Sequence, residues 1–159
     1  MVKADIVRRL EEIAVFLELR GASPFEVLAF RNAAGSLHEW DGDLHQAVAA
    51  GTLTDIAAVG KGIAGVIAEF ARTGHAQKYD SVRGGYPVTL LDLLQVPGLG
   101  VKKVSVLHEA LGIADLEALE RAAASGAVRA LPGFGARTEE RILRWIGWVR
   151  GRQGAPKTG

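Results

Sequence analysis

The chain has no cysteine, so neither a disulfide framework nor a thiolate metal site is open to it. No apolar run nears the ~18 residues of a membrane-spanning helix, and the first residues lack the apolar core of a signal peptide. Both absences predict a cytoplasmic protein with no membrane partner. Strand signals are missing too, since no sustained alternation of β-branched or aromatic residues occurs. The four histidines, His38, His45, His75 and His108, stand singly, which gives no side-chain metal site. Gly-x-Ser-x-Gly, P-loop and HExxH patterns are all absent, so the common hydrolase, nucleotide-hydrolysing and zinc-protease readings have no support. What remains is ordinary for a globular protein: 159 residues, 48% hydrophobic and 23% charged, enough for one domain or two small ones.

Glycine is the residue in excess, and it is placed in a pattern. Ala58-Val59-Gly60-Lys61-Gly62, Val96-Pro97-Gly98-Leu99-Gly100 and Leu131-Pro132-Gly133-Phe134-Gly135 are three short hairpins, each leading into an amphipathic stretch. The last two share apolar-Pro-Gly-apolar-Gly, while Ala57 and Ala58 stand where the others have Pro-Gly. Proline fixes one φ and glycine admits positive φ, so the chain reverses within few residues. The unpaired N–H groups of the following helical turn then face outward with the positive end of the helix dipole behind them. Such a place suits a phosphate oxygen. The repeated pattern is that of the helix-hairpin-helix motif, and three copies in a small protein read as a device for holding a nucleic-acid backbone.

The rest of the chain reads as helix and turn. Apolar residues at helical spacing predict helices over 4–20, 24–40, 43–50, 62–73, 75–82, 101–111 and 136–150, with Ser23-Pro24 opening the second and Asp115 capping one more that closes at Ser125-Gly126. Arg83-Gly84-Gly85-Tyr86-Pro87 is the boundary candidate. The expected organisation is all-α: a helical domain over 1–83 with the degenerate hairpin, a second over 84–150 with tandem helix-hairpin-helix motifs, and a disordered tail over 151–159. Charge is unevenly spread. Residues 1–57 carry five bases and nine acids, whereas residues 121–159 carry eight bases and two acids, which fits contact of the C-terminal third with an anionic polymer.

Four separated stretches, in order, resemble the N-terminal half of bacterial family X DNA polymerases. They are Pro24-Phe25 with Ala29-Phe30-Arg31-Asn32-Ala33-Ala34, then Gly60-Lys61-Gly62-Ile63-Ala64, then Leu93 to Lys103, then Leu131 to Leu143. The resemblance implies a lyase-type domain followed by a fingers domain, each with helix-hairpin-helix elements, in a DNA repair setting and associated with the nucleoid. It further implies that Phe30 and Arg31 lie near a downstream 5′-phosphate and that hairpin carbonyls bind a monovalent cation, Na or K. Two departures bear on activity. The family's lyase lysine falls on Val66, and an aliphatic side chain cannot form a Schiff base. The chain also ends where the family's palm begins, so polymerase activity is not expected of it alone. Asp41-Gly42-Asp43 reads as a turn with a helix cap rather than a metal pair.

The expected function is sequence-independent DNA-backbone binding without catalysis. Its contact residues are Gly60, Lys61 and Gly62 at the first hairpin; Gly98, Leu99, Gly100, Val101, Lys102 and Lys103 at the second; Gly133, Phe134, Gly135, Ala136, Arg137 and Arg141 at the third; and Phe30 with Arg31. Contacts of this kind position a protein without reading bases. One alternative is a deoxyribose-phosphate or abasic-site lyase using Lys61. Another is a protein-interaction module, with Trp145 and Trp148 of the last helix docking a partner or a further catalytic domain.

Overall fold

The computed structural model describes residues 1–154, with side chains through Arg152; of the tail expected at 151–159, residues 155–159 lie outside the described residues. Those residues are helical throughout and hold no strand. They form two compact units that divide between Tyr86 and Pro87. The first contains α1 (Lys3–Leu19), α2 (Pro24–Glu39), α3 (Leu44–Ala50), a short 3-10 turn at Leu53–Asp55, α4 (Lys61–Thr73) and α5 (Gln77–Arg83). The second contains α6 (Leu90–Leu93), α7 (Val101–Leu111), α8 (Leu116–Ala124) and α9 (Ala136–Gly154).

In the first unit α1 and α2 pack along one another because each presents a continuous apolar stripe. Ile6, Leu10, Ile13 and Phe16 from α1 meet Phe30, Ala33 and Leu37 from α2, all buried. Ile67 and Phe70 of α4 and Tyr79 of α5 complete the core. Phe16 meets the Tyr79 ring edge-on at 5.9 Å and stacks on Tyr86 at 6.3 Å. Tyr86 also donates from its hydroxyl to the Leu19 carbonyl at 3.2 Å. That reach back to α1 holds residues 84–86 with the first unit, and it explains why the division falls at Tyr86/Pro87 rather than after Arg83.

The second unit is built around Leu90, Leu93, Val104, Leu107, Leu119 and Ile142, with α8 and α9 side by side. Its last helix departs from expectation, for it continues past residue 150 to Gly154. Gly151 ends a helix only where it turns to positive φ, and it does not do so here. An Arg150–Glu120 ion pair at 2.6 Å to α8 and the Arg152 guanidinium, 4.9 Å from the Trp148 ring centroid, hold the last turns.

Candidate nucleic-acid interface

The three hairpins share one backbone design despite their different sequences. In each, an amide donates three residues back: Val59 N–H to the Ile56 carbonyl, Leu99 N–H to Val96 and Phe134 N–H to Leu131, all at 3.1 Å. The third residue of each four-residue turn has positive φ: Ala58 at 64°, Gly98 at 88° and Gly133 at 84°. This is the arrangement of a type II turn, which favours proline at its second position and glycine at its third. The two Pro-Gly turns satisfy both preferences. The first hairpin reaches the same shape with Ala57-Ala58, so positive φ there falls on alanine rather than on Gly60 or Gly62.

A glycine then caps each following helix. Gly60 (φ −87°, ψ −178°) and Gly100 (φ −87°, ψ −180°) have nearly identical extended backbones. The first helical bonds return to them and to Gly135: Ala64 N–H to Gly60 at 2.8 Å, Val104 N–H to Gly100 at 3.0 Å and Glu139 N–H to Gly135 at 3.1 Å. The amides of Lys61 to Ile63, Val101 to Lys103 and Ala136 to Thr138 therefore have no acceptor within their helices. At α2, α3 and α8 the chain fills such positions with side chains, whereas α1, α5 and α6 also lack a side-chain bond from the N-cap residue. Ser23 caps α2, Asp43 accepts from Gln46 N–H at 3.0 Å to cap α3, and Asp115 accepts from Ala118 N–H at 2.8 Å to cap α8. Asp43 thereby accounts for the Asp41-Gly42-Asp43 turn. At Gly60 and Gly100 no side chain caps the helix, and a Cβ at Gly60, Gly100 or Gly135 would meet nothing within 4 Å. Glycine is not needed there for φ or for packing; it leaves the amides uncovered.

The apolar residue between the two glycine positions is a plug. Val59, Leu99 and Phe134 are 5%, 4% and 6% exposed. Leu99 and Phe134 can thus offer a ligand only their backbones. Phe30 is also buried, with the Lys78 ammonium 5.9 Å from its ring centroid, so of the pair expected near a 5′-phosphate only Arg31 has an exposed side chain. Arg31 is exposed and paired with Glu18 at 2.7 Å.

The second unit brings its two hairpins together through cations. Lys103, in the first turn of α7, stands 5.5 Å from the ring centroid of Phe134 in the third hairpin. Arg141 of α9 lies against the second hairpin, where a Cβ on Gly98 would sit 2.8 Å from its Nη1. Lys102 and Arg137 are exposed in the first turns of their helices, so four cations lie on or beside the two hairpins and the helix starts that follow them. The first unit is poorer in charge at its hairpin: Lys61 is exposed, Gly62 brings no charge and Val66 is buried. Among the described residues no three His, Asp or Glu side chains converge as a metal site. No helix among them is long and apolar enough to cross a membrane.

Sequence reasoning missed one supporting residue. Glu139 is buried in the first turn of α9, where its carboxylate accepts the Arg129 N–H at 2.9 Å and fixes the segment entering the third hairpin. Of the two tryptophans on α9, Trp145 is half-buried and Trp148 is 56% exposed.

The family model for a helix-hairpin-helix domain matches residues 1–76, and that for a SAM-like helix-hairpin-helix tandem matches residues 90–144. The first span includes one hairpin and the second includes two. Over 147 residues, 92% of this chain, the sequence is 40% identical to the DNA polymerase/3'-5' exonuclease PolX of Bacillus subtilis (strain 168). The chain spans about a quarter of that relative, matching 25% of its length in its N-terminal part. Shared turn geometry, uncapped helices and sequence relationship identify this chain as a helix-hairpin-helix protein related to the N-terminal part of family X DNA polymerases.

Proposed function

We propose that this chain binds DNA through its phosphate backbone, without sequence preference and without catalysing a reaction. The observation that carries the reading is the second unit's pair of adjoining hairpins, with helix-start amides left uncapped among Lys102, Lys103, Arg137 and Arg141. Backbone amides at a helix start and flexible cations recognise phosphate and carry no base information. The first hairpin repeats the amide geometry with less charge and serves as a weaker contact. The buried valine at position 66 supports binding rather than lyase chemistry in the first unit, since Schiff-base formation needs an amine. The relationship to a DNA polymerase supports a repair setting, and with it a nucleoid-associated place in the cytoplasm. The Ile56, Val96 and Leu131 carbonyls each accept a turn N–H and keep a second lone pair, the type of donor a Na or K ion takes at such hairpins.

The test is Gly100→Val. The site has space for the side chain and φ is ordinary, so the fold survives with a capping loss of about 1 kcal/mol. The new methyl groups stand before the α7 amides, and affinity for a duplex, read by fluorescence anisotropy, falls about tenfold or more at unchanged helicity. Unchanged affinity in the folded variant would rule out the hairpin as the contact.

A further inference from the structure

One exposed face of α9 starts among the hairpin contacts, at Arg137 and Arg141, and runs on beyond them. Arg137, Arg141, Arg144, Trp148 and Arg152 are all exposed. At 3.6 residues per turn these five fall within an arc of about 80°. The opposite face buries Ile142 and Ile146 in the core. One acid, Glu140, borders the stripe and is paired with Arg144 at 3.4 Å. The stripe begins at the third hairpin's uncapped amides, touches the second hairpin through Arg141 beside Gly98, and reaches Trp148 about 18 Å farther on. That distance is about five base steps along a strand.

Trp148 is the odd member. Its indole is 56% exposed, and Arg152 lies over the ring at 4.9 Å from the centroid. A helix face made to dock a protein would surround that indole with apolar neighbours. Here the residues three and four positions away are Arg144, Trp145, Gly151 and Arg152, and Trp145 is half turned into the fold. A flat aromatic ring among arginines, at the end of a line of cations, has the chemistry of a base-stacking platform.

We propose that Trp148 stacks on an unpaired base of a single-stranded extension while the stripe of arginines follows its phosphates outward from the duplex held at the hairpins. This site rests on the DNA-binding reading above and adds a preference to it: duplexes ending in a single-stranded extension are held more tightly than blunt ones.

The experiment uses the full chain with a blunt duplex and with the same duplex carrying an oligothymidine extension, at one fixed salt concentration. Wild-type protein binds the extended duplex about tenfold more tightly, and its tryptophan fluorescence is quenched on binding. Trp148→Ala binds the blunt duplex as wild type does but loses the preference. Trp148→Phe restores most of the preference and removes most of the quenching. A preference that survives in Trp148→Ala overturns the stacking site while leaving the hairpin grip standing. Equal wild-type affinity for both duplexes overturns it also and returns Trp148 to a protein contact. Failure of the wild type to bind either duplex overturns the DNA reading and the stacking site together.

Discussion

Ala58 occupies a conformation that L-residues other than glycine seldom adopt, with φ at 64°. A non-glycine residue there costs about 1–2 kcal/mol, of which roughly 0.4–1 is returned because alanine restricts the unfolded chain more than glycine does. Ala58→Gly should therefore stabilise the protein by about 0.5–1 kcal/mol, a rise of a few degrees in thermal melting. Gly133→Ala, at φ 84° with open space around it, should lose about the same amount. The first hairpin was legible in the sequence only as a weakened copy, since Ala57-Ala58 gives no local signal for a turn. Its shape follows from its ends, where Ile56 and Val59 are both anchored in the core. Tyr79 offers a second residue-scale test. Burial, and then the hydrogen bond its hydroxyl donates to Glu12 at 2.8 Å, push its phenol from 10.0 up to about 12. The native state keeps a proton that the unfolded chain has already released, so this stabilisation is whole below pH 10 and is lost as pH rises toward about 12. Urea unfolding across that range should show a steeper alkaline decline for wild type than for Tyr79→Phe.

The helices divide by how their ends are satisfied. Ser23, Asp43 and Asp115 close the starts of α2, α3 and α8 with side chains, whereas α4 and α7 begin at uncapped glycine. The end of α2 is closed from another element, with the Lys3 ammonium donating to the His38 carbonyl at 3.0 Å and the Trp40 carbonyl at 2.8 Å. Side-chain caps and Pro-Gly turns are local, and they were readable from residue order. Cross-element closures such as Lys3 to α2 were not, because partners 35 and 37 residues apart share no pattern. Glu139 is the instance with the largest effect on the site. On sequence it is one acid in an amphipathic helix; in the fold it is the buried acceptor for Arg129 N–H, ten residues earlier. Glu139→Ala should cost about 1–2 kcal/mol in urea unfolding, and Glu139→Gln, which keeps an acceptor, distinctly less. The end of α9 lies beyond the position its sequence suggests for a related reason. Gly151 resembles a stop in isolation, but contacts made by Arg150 and Arg152 carry the helix through it.

Across the whole molecule, charge separates along the unit boundary. Residues 1–86 carry nine bases and eleven acids, and residues 87–159 carry ten bases and seven acids. Binding through the second unit's Lys102, Lys103, Arg137 and Arg141 engages about four phosphates, so log affinity for a blunt duplex should fall with log salt at a slope between about −3 and −4. Lys102→Ala should make that slope shallower by about 1 without creating any preference among duplex sequences. This polarity was visible from counting charges, and the all-α fold from the absence of strand periodicity. The side-by-side placement of the two turns was not, since it rests on Lys103 crossing to Phe134 and Arg141 crossing to Gly98. The three plugs, Val59, Leu99 and Phe134, carry a thermodynamic consequence. They are seated in the cores before any strand arrives, so docking at the hairpins covers little further apolar surface and changes the heat capacity little. The free energy of that grip then comes mainly from ions returned to solvent, an entropic gain with little enthalpy attached. A hold of this kind keeps nearly the same strength in a cold cell as in a warm one.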